Sequence, residues 1–134
     1  MIPPEIIAWV TEKIESHHWA GVIESRRVTH EWRRHTGGRI MWAGLTASIA
    51  PSQEWSLRIS AQGVEPQYVA AAQNGLFSVL LSQSWAPVLR CAVCLESFQV
   101  HPVESSYAAF YMVSKEATER LLGLKSPEEF NIEW

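Results

Sequence analysis

The sequence predicts an α+β domain: one mainly antiparallel sheet with helices packed on one face. Three observations carry that expectation. Apolar residues recur at spacings of three and four in "PPEIIAWVTEKIE" and in "QYVAAAQNGLFSVLLSQSW", the period of a helix with one buried stripe. They alternate with polar residues in "EWSLRIS" at 54–60, the period of a half-buried strand. Turn residues, "TGG" at 36–38 and "PSQ" at 51–53, separate the strand-like runs. The order is helix, three strands, helix, strand, helix, with no internal repeat and no low-complexity segment.

Residues 3–18 form the first expected helix. Pro3 and Pro4 suit its start, and Ile6, Ile7, Val10 and Ile14 share one stripe; Gly21 ends the unit. In the strand expected at 22–35, Val28, His30 and Trp32 point away from Arg27, Thr29, Glu31 and Arg33. A second strand covers 41–49. In the third, 54–60, Trp55, Leu57 and Ile59 face in and Ser56 and Arg58 face out, which reads as a half-buried antiparallel strand. Pro66 sits near the first turn of the next helix, whose broad apolar face holds Tyr68, Val69, Ala72, Leu76, Val79 and Leu80. Gly75 inside that helix costs about 1 kcal/mol relative to Ala, so close packing is expected there. Pro87 opens the strand 88–100. Ser105 or Ser106 caps a last helix that runs to about Leu122 and stops at Gly123. The tail 124–134, where Phe130, Ile132 and Trp134 alternate, is expected to be an ordered extension. Leu57, Ile59, Val69, Leu76, Leu80, Val93, Leu95, Phe110 and Val113 are the expected core.

A chain of 134 residues fits a single domain that buries about two-thirds of its unfolded surface. Two cysteines, Cys91 and Cys94, do not make a disulfide framework. No apolar run approaches the roughly 20 residues that cross a membrane, and the N-terminus lacks the basic-then-apolar pattern of a signal peptide. A soluble cytoplasmic protein is expected. The net charge of −3 argues against broad nucleic-acid affinity. The charge is uneven, however. Residues 22–39 hold Arg26, Arg27, Arg33, Arg34 and Arg39 against Glu24 and Glu31, a local +3 that leaves −6 on the rest. Such a strip is either a docking surface or the solvated face of an edge strand, where charge discourages aggregation.

The candidates for chemistry are few. Cys91 and Cys94 are three apart on a strand and so point to opposite faces. A zinc site would need two further ligands, and His17 and His18 stand at no known spacing from them. Inert thiols and no metal or cofactor are expected. The stretch "FQVHPVESSYAAF" at 98–110 gathers His101, Glu104, Ser105 and Ser106. A nucleophile there would need a serine with His101 as base, but no strained elbow and no oxyanion loop accompany them. A serine ahead of an apolar helical run is an N-cap, and Glu104 is favourable beside a helix N-terminus. No phosphate loop of the G-x-x-x-x-G-K-[ST] type exists, so nucleotide hydrolysis by this chain is not expected. The seven tryptophans are spread evenly and should be mostly core, an exposed one marking an interface.

Four motifs recur in a telling order: "TGGR" at 36–39, "GVEPQYVAAAQNG" at 63–75, "PV" at 87–88 leading to Leu95, and "HPVESSYAAF" at 101–110. Together, from His35 to Gly123, they resemble the fourth domain of translation elongation factor G and its relatives, including the ribosome-protection factors. The resemblance implies a four-stranded sheet with two helices on one face and a left-handed βαβ crossover. Residues 22–123 would form that domain, 1–21 an N-terminal helical extension and 124–134 a tail. It also implies a site, because in the whole factor two loops at the tip of this domain reach the decoding region of the small ribosomal subunit. By position, Thr36, Gly37, Gly38 and Arg39 form one tip loop, and His101, Glu104 and Ser105 belong to the other, with Trp42 nearby. Glycines let backbone approach phosphates closely, and Arg39 and His101 can bind them. Ile40, Met41 and Trp42 stand where the family has small and polar residues, and Arg90 where an Asp is common. The family's nucleotide-binding domain has no counterpart in the sequence, so a free-standing domain is expected.

Three functions compete. The first is a non-enzymatic module that contacts ribosome, RNA or a translation factor through the tip. The second is a protein-interaction or self-associating domain that kept the fold without RNA binding, with Trp42 as anchor. The third, a small-molecule kinase on the same crossover fold, is disfavoured by the missing phosphate loops.

Overall fold

The structure is a computed structural model of the chain, and it describes residues 3–8, 20–82 and 88–123. A helix, α1, is described over 4–8. Then follow β1 (Ala20–Gly21), β2 (Arg26–Thr36), β3 (Arg39–Pro51), β4 (Ser56–Ile59), α2 (Pro66–Leu80), β5 (Val88–Gln99) and α3 (Tyr107–Leu121). The rest of the helix expected to 18, the tail expected at 124–134, Pro87, His17, His18, and Trp9, Trp19, Trp85 and Trp134 lie outside the described residues.

β2 and β3 pair antiparallel along their whole length, from Arg26↔Ile49 to Thr36↔Arg39. β3 pairs antiparallel with β5. The far edge of β5 is shared by two short strands, β1 at Val88–Arg90 and β4 at Ala92–Leu95, both parallel to it. The result is a mixed, mostly antiparallel sheet four strands wide, with β2 at one edge. The fold is α+β, as the element order predicts. One expectation is corrected: 54–60 does not pair antiparallel. α2 carries the chain back over the sheet before β5 begins, so β4 and β5 run the same way and form the βαβ crossover. β1 falls inside the stretch expected to be an N-terminal extension and already pairs with the sheet.

The core lies between the sheet and the helices. β3 contributes Ala43, Leu45, Ala47 and Ile49, and β5 contributes Leu89, Cys91, Val93 and Leu95. α2 and α3 cover them with Leu76, Phe77, Leu80, Phe110 and Val113. Leu57 and Ile59 are only partly buried because β4 is a short edge strand. Val69, expected in the core, is half-buried and lies outside the core cluster. Gly75 meets its expectation: a Cβ there would stand 2.3 Å from the Tyr111 carbonyl oxygen and 3.0 Å from the Lys115 nitrogen. The two helices therefore touch backbone to backbone, and the Ser114 hydroxyl donates across the seam to the Ala72 carbonyl at 2.6 Å.

β2 brings one polar side chain into this interior. His30 is 7% exposed, and its Nε2 lies 3.0 Å from the Glu116 carboxylate on α3. Arg120, one turn on, reaches the Thr29 carbonyl and His30 Nδ1 at 3.5 and 3.4 Å. A buried polar group needs partners, and these tie α3 to the edge strand. α3 itself starts at Ser106, whose side chain accepts from the Ala109 N–H at 3.1 Å. It ends before Gly123, which takes φ +75°, the left-handed geometry that a glycine adopts cheaply.

Candidate functional site

The β2–β3 register leaves Gly37 and Gly38 as a two-residue turn between Thr36 and Arg39. Their φ values are +58° and +77°, the type I′ geometry that matches strand twist and that glycine accepts without strain. A Cβ at either position would meet nothing within 4 Å. The turn is thus a bare, projecting tip. No Asp or Glu occurs between Trp32 and Gln53, whereas Arg33, Arg34, His35 and Arg39 cluster there. Arg34, His35 and Arg39 are exposed. The other end of the basic strip is neutralised locally: Arg26 pairs with Glu24 at 2.9 Å, and Arg27 with Glu96 at 3.4 Å. The strip's inner end thus carries the Arg26–Glu24 and Arg27–Glu96 pairs, and its outer end presents the exposed Arg34, His35 and Arg39.

The second loop is built from backbone bonds that polar side chains complete. His101 Nδ1 accepts from the N–H groups of Val103 and Glu104, both at 3.1 Å. The Ser105 hydroxyl accepts from the His101 N–H at 2.9 Å and donates to the Trp42 carbonyl at 2.8 Å. The Trp42 N–H donates to the Glu104 carbonyl at 2.9 Å. The loop is thereby clamped to β3 on both sides of Trp42. From α2, the Tyr68 hydroxyl donates to the Ser105 carbonyl at 3.3 Å, and its ring stacks on Phe110 with centroids 4.9 Å apart. A β-bulge precedes the loop, because two residues, Ser97 and Phe98, stand where β3 offers one. Ser97 takes φ +54°, and Phe98 turns to the helix side, where its ring stacks on Phe110 at 5.8 Å.

The structure places the residues singled out at the two tips in two groups at one end of the sheet. Thr36, Gly37, Gly38 and Arg39 form the hairpin end. His101, Glu104 and Ser105 form the clamped loop, and the half-buried Trp42 joins the two through its main chain. The hairpin reaches about 13 Å past this clamp, four residues at roughly 3.3 Å each. His101 and Ser105 are not arranged as base and nucleophile: the serine hydroxyl engages two backbone groups, and His101 Nδ1 is already an acceptor. Two contributors escaped sequence reasoning. One is Tyr68, which reads as a helix-face residue. The other is the run Val100–Tyr107, whose apolar members Val100, Val103 and Tyr107 are exposed. Nothing in spacing distinguishes an apolar loop residue that is exposed from one that is buried.

The cysteines behave as opposite-face residues. Cys91 is buried, and burial pushes its thiol up to about 12; Cys94 lies half-buried on the other face, opposite Ser48. Among the described residues no cluster of three His, Cys, Asp or Glu stands close enough to hold a metal ion, and no helix is long and apolar enough to cross a membrane.

No protein-family model matches the chain, and no curated protein matches it. Among solved structures it is similar to a crystal structure from Thermus thermophilus, with a TM-score of 0.68 and 18% sequence identity. The match covers 78% of this chain and 16% of that one. At this identity the likeness shows a shared fold, and the chain corresponds to about a sixth of the longer protein.

Proposed function

We propose that this chain is a non-enzymatic module that contacts ribosomal RNA through the loop end of its sheet, as the resemblance to the fourth domain of elongation factor G implies. The observation that carries the reading is the hairpin end. Arg34, His35 and Arg39 are exposed at and beside a projecting type I′ turn, and neither strand contributes an Asp or Glu between Trp32 and Gln53. Two glycines at its apex let backbone amides approach a phosphate, and arginine forks suit phosphate oxygens. Overall acidity keeps the rest of the surface from competing for polyanion, so contact concentrates at the tip. A ribosomal role of this kind is cytoplasmic.

Co-sedimentation of the chain with small ribosomal subunits across a salt series tests the proposal. Binding should fall with salt, and an Arg34→Ala, Arg39→Ala double variant should bind more weakly with a flatter dependence, by up to about 0.9 in log–log slope per lost phosphate contact. Binding identical to wild type would refute it. The second reading, an interaction or self-associating domain, draws support from half-buried Ile40, Met41 and Trp42 beside the tip. It predicts association that persists at high salt.

A further inference from the structure

Among the described residues β2 is an edge strand: it pairs with β3 on one side, and no described strand lies on the other. It is 11 residues long, Arg26–Thr36, and its outer edge offers a row of main-chain donors and acceptors that a further strand can complete. His30 and Trp32 are buried on the helix side, so Arg27, Thr29 and Glu31, all exposed, share the open face. Just ahead of the strand, Ile23 is 98% exposed.

We infer that a second copy of the chain pairs with this edge, β2 against β2, antiparallel about a two-fold axis at Thr29. Residues directly opposite each other must share a sheet face, so the axis falls on a residue and the possible registers are few. With the axis at Thr29, Arg27 stands opposite Glu31 of the second copy and Glu31 opposite the second copy's Arg27. Glu24 and Arg34 face each other in the same way, and no like charges meet. An axis at Val28 matches no charges, and one at His30 sets Arg26 against Arg34 and Arg27 against Arg33. An axis at Trp32 matches only Glu31 with Arg33. Opposite charges directly across two strands stabilise the pairing and like charges weaken it, and a two-fold contact makes each pair twice. The order of charges along β2 therefore selects a copy of itself in this register. The same register brings Ile23 opposite His35 of the second copy, against its strand end. Arg120 approaches the Thr29 carbonyl at 3.5 Å, and a carbonyl oxygen accepts a second donor. The pairing stops at His35, so the turn at Gly37 and Gly38 projects from each copy, at opposite ends of the pair. The inference does not rest on the ribosomal contact; it assigns self-association to a surface away from the tip.

Sedimentation velocity of the full chain over a concentration series tests the inference. The wild type should dimerise reversibly. Arg27→Glu and Glu31→Arg each set like charges opposite one another twice, and each should weaken dimerisation by roughly tenfold or more. An equimolar mixture of the two variants restores both pairs and should dimerise as the wild type does. The double variant Arg27→Glu, Glu31→Arg should do the same on its own. Circular dichroism like that of the wild type confirms that each variant folds. Arg39→Ala lies outside the paired stretch and should leave the dimer unchanged while weakening subunit binding, so the two readings fail separately. A wild type that stays monomeric at every concentration overturns the inference. So does wild-type dimerisation by both single variants, or a mixture that does not regain the dimer they lose.

Discussion

The Thr36–Arg39 hairpin and the His101–Ser106 loop lie at the same end of the sheet and are built in opposite ways. Among the described residues the hairpin is held by the pairing of its two strands, and a Cβ at either apex glycine would meet nothing within 4 Å. The loop is tied to β3 through Trp42, to α2 through Tyr68 and to α3 through the Ser106 cap. The richer cluster of reactive residue types is therefore the one most occupied with its own fold. Histidine and serine complete backbone bonds there, which is the usual reason for such residues beside a helix start. The plainer hairpin end keeps Arg34, His35 and Arg39 exposed. A concentration of His, Glu and Ser in sequence thus marks a loop occupied with its own bonds.

The contrast can be broken at its supports. Leu80→Ala should have the largest effect, a loss of about 2–5 kcal/mol in urea melts, because Leu80 of α2 is fully buried in the core between sheet and helices. A loss below about 1 kcal/mol would mean that α2 is not packed as described. Ser105→Ala comes next. It strips an acceptor from the His101 N–H and a donor from the Trp42 carbonyl, and should cost about 1–3 kcal/mol while leaving the hairpin register intact by NMR. Gly38→Ala should cost about 1–2 kcal/mol, because its φ of +77° is strained for a residue with a Cβ; Gly38→Asn should cost less. Arg39→Ala should change stability by no more than about 0.5 kcal/mol and act on RNA binding alone. If Ser105→Ala proved harmless and Arg39→Ala destabilising, the roles assigned to the two loops would be reversed.

Much of this architecture was legible in the sequence because side-chain period reports which face a residue takes. The inward Val93 and Leu95 of β5, a serine cap at 105 or 106, the stop at Gly123 and the close approach at Gly75 follow from local pattern and sterics. Direction did not follow. Alternation in 54–60 reads the same for parallel and antiparallel pairing, and only the crossover through α2 makes β4 parallel to β5. The bulge at Ser97 was hidden too, because an extra residue shifts Phe98 to the helix side without any glycine to mark it. The membership of the tip loops came from resemblance, whereas their bonding did not, since the clamp uses the main chain of Trp42 and backbone groups carry no side-chain signature. The basic strip looked uniform along the sequence. Its paired inner end appeared only once Glu24 and Glu96 were seen against Arg26 and Arg27.

Amide hydrogen exchange, residue by residue, on the chain alone and with small ribosomal subunits, tests the central claim that the loop is a locked scaffold and the hairpin the contact. In the free chain the amides of Trp42, Val103, Glu104 and Ser105, each hydrogen-bonded, should exchange slowly, and those of Gly37 and Gly38 fast. Adding subunits should slow Gly37, Gly38 and Arg39 and leave the slow loop amides unchanged. Fast exchange across 103–105 in the free chain, or a hairpin that subunits leave untouched, would contradict the account.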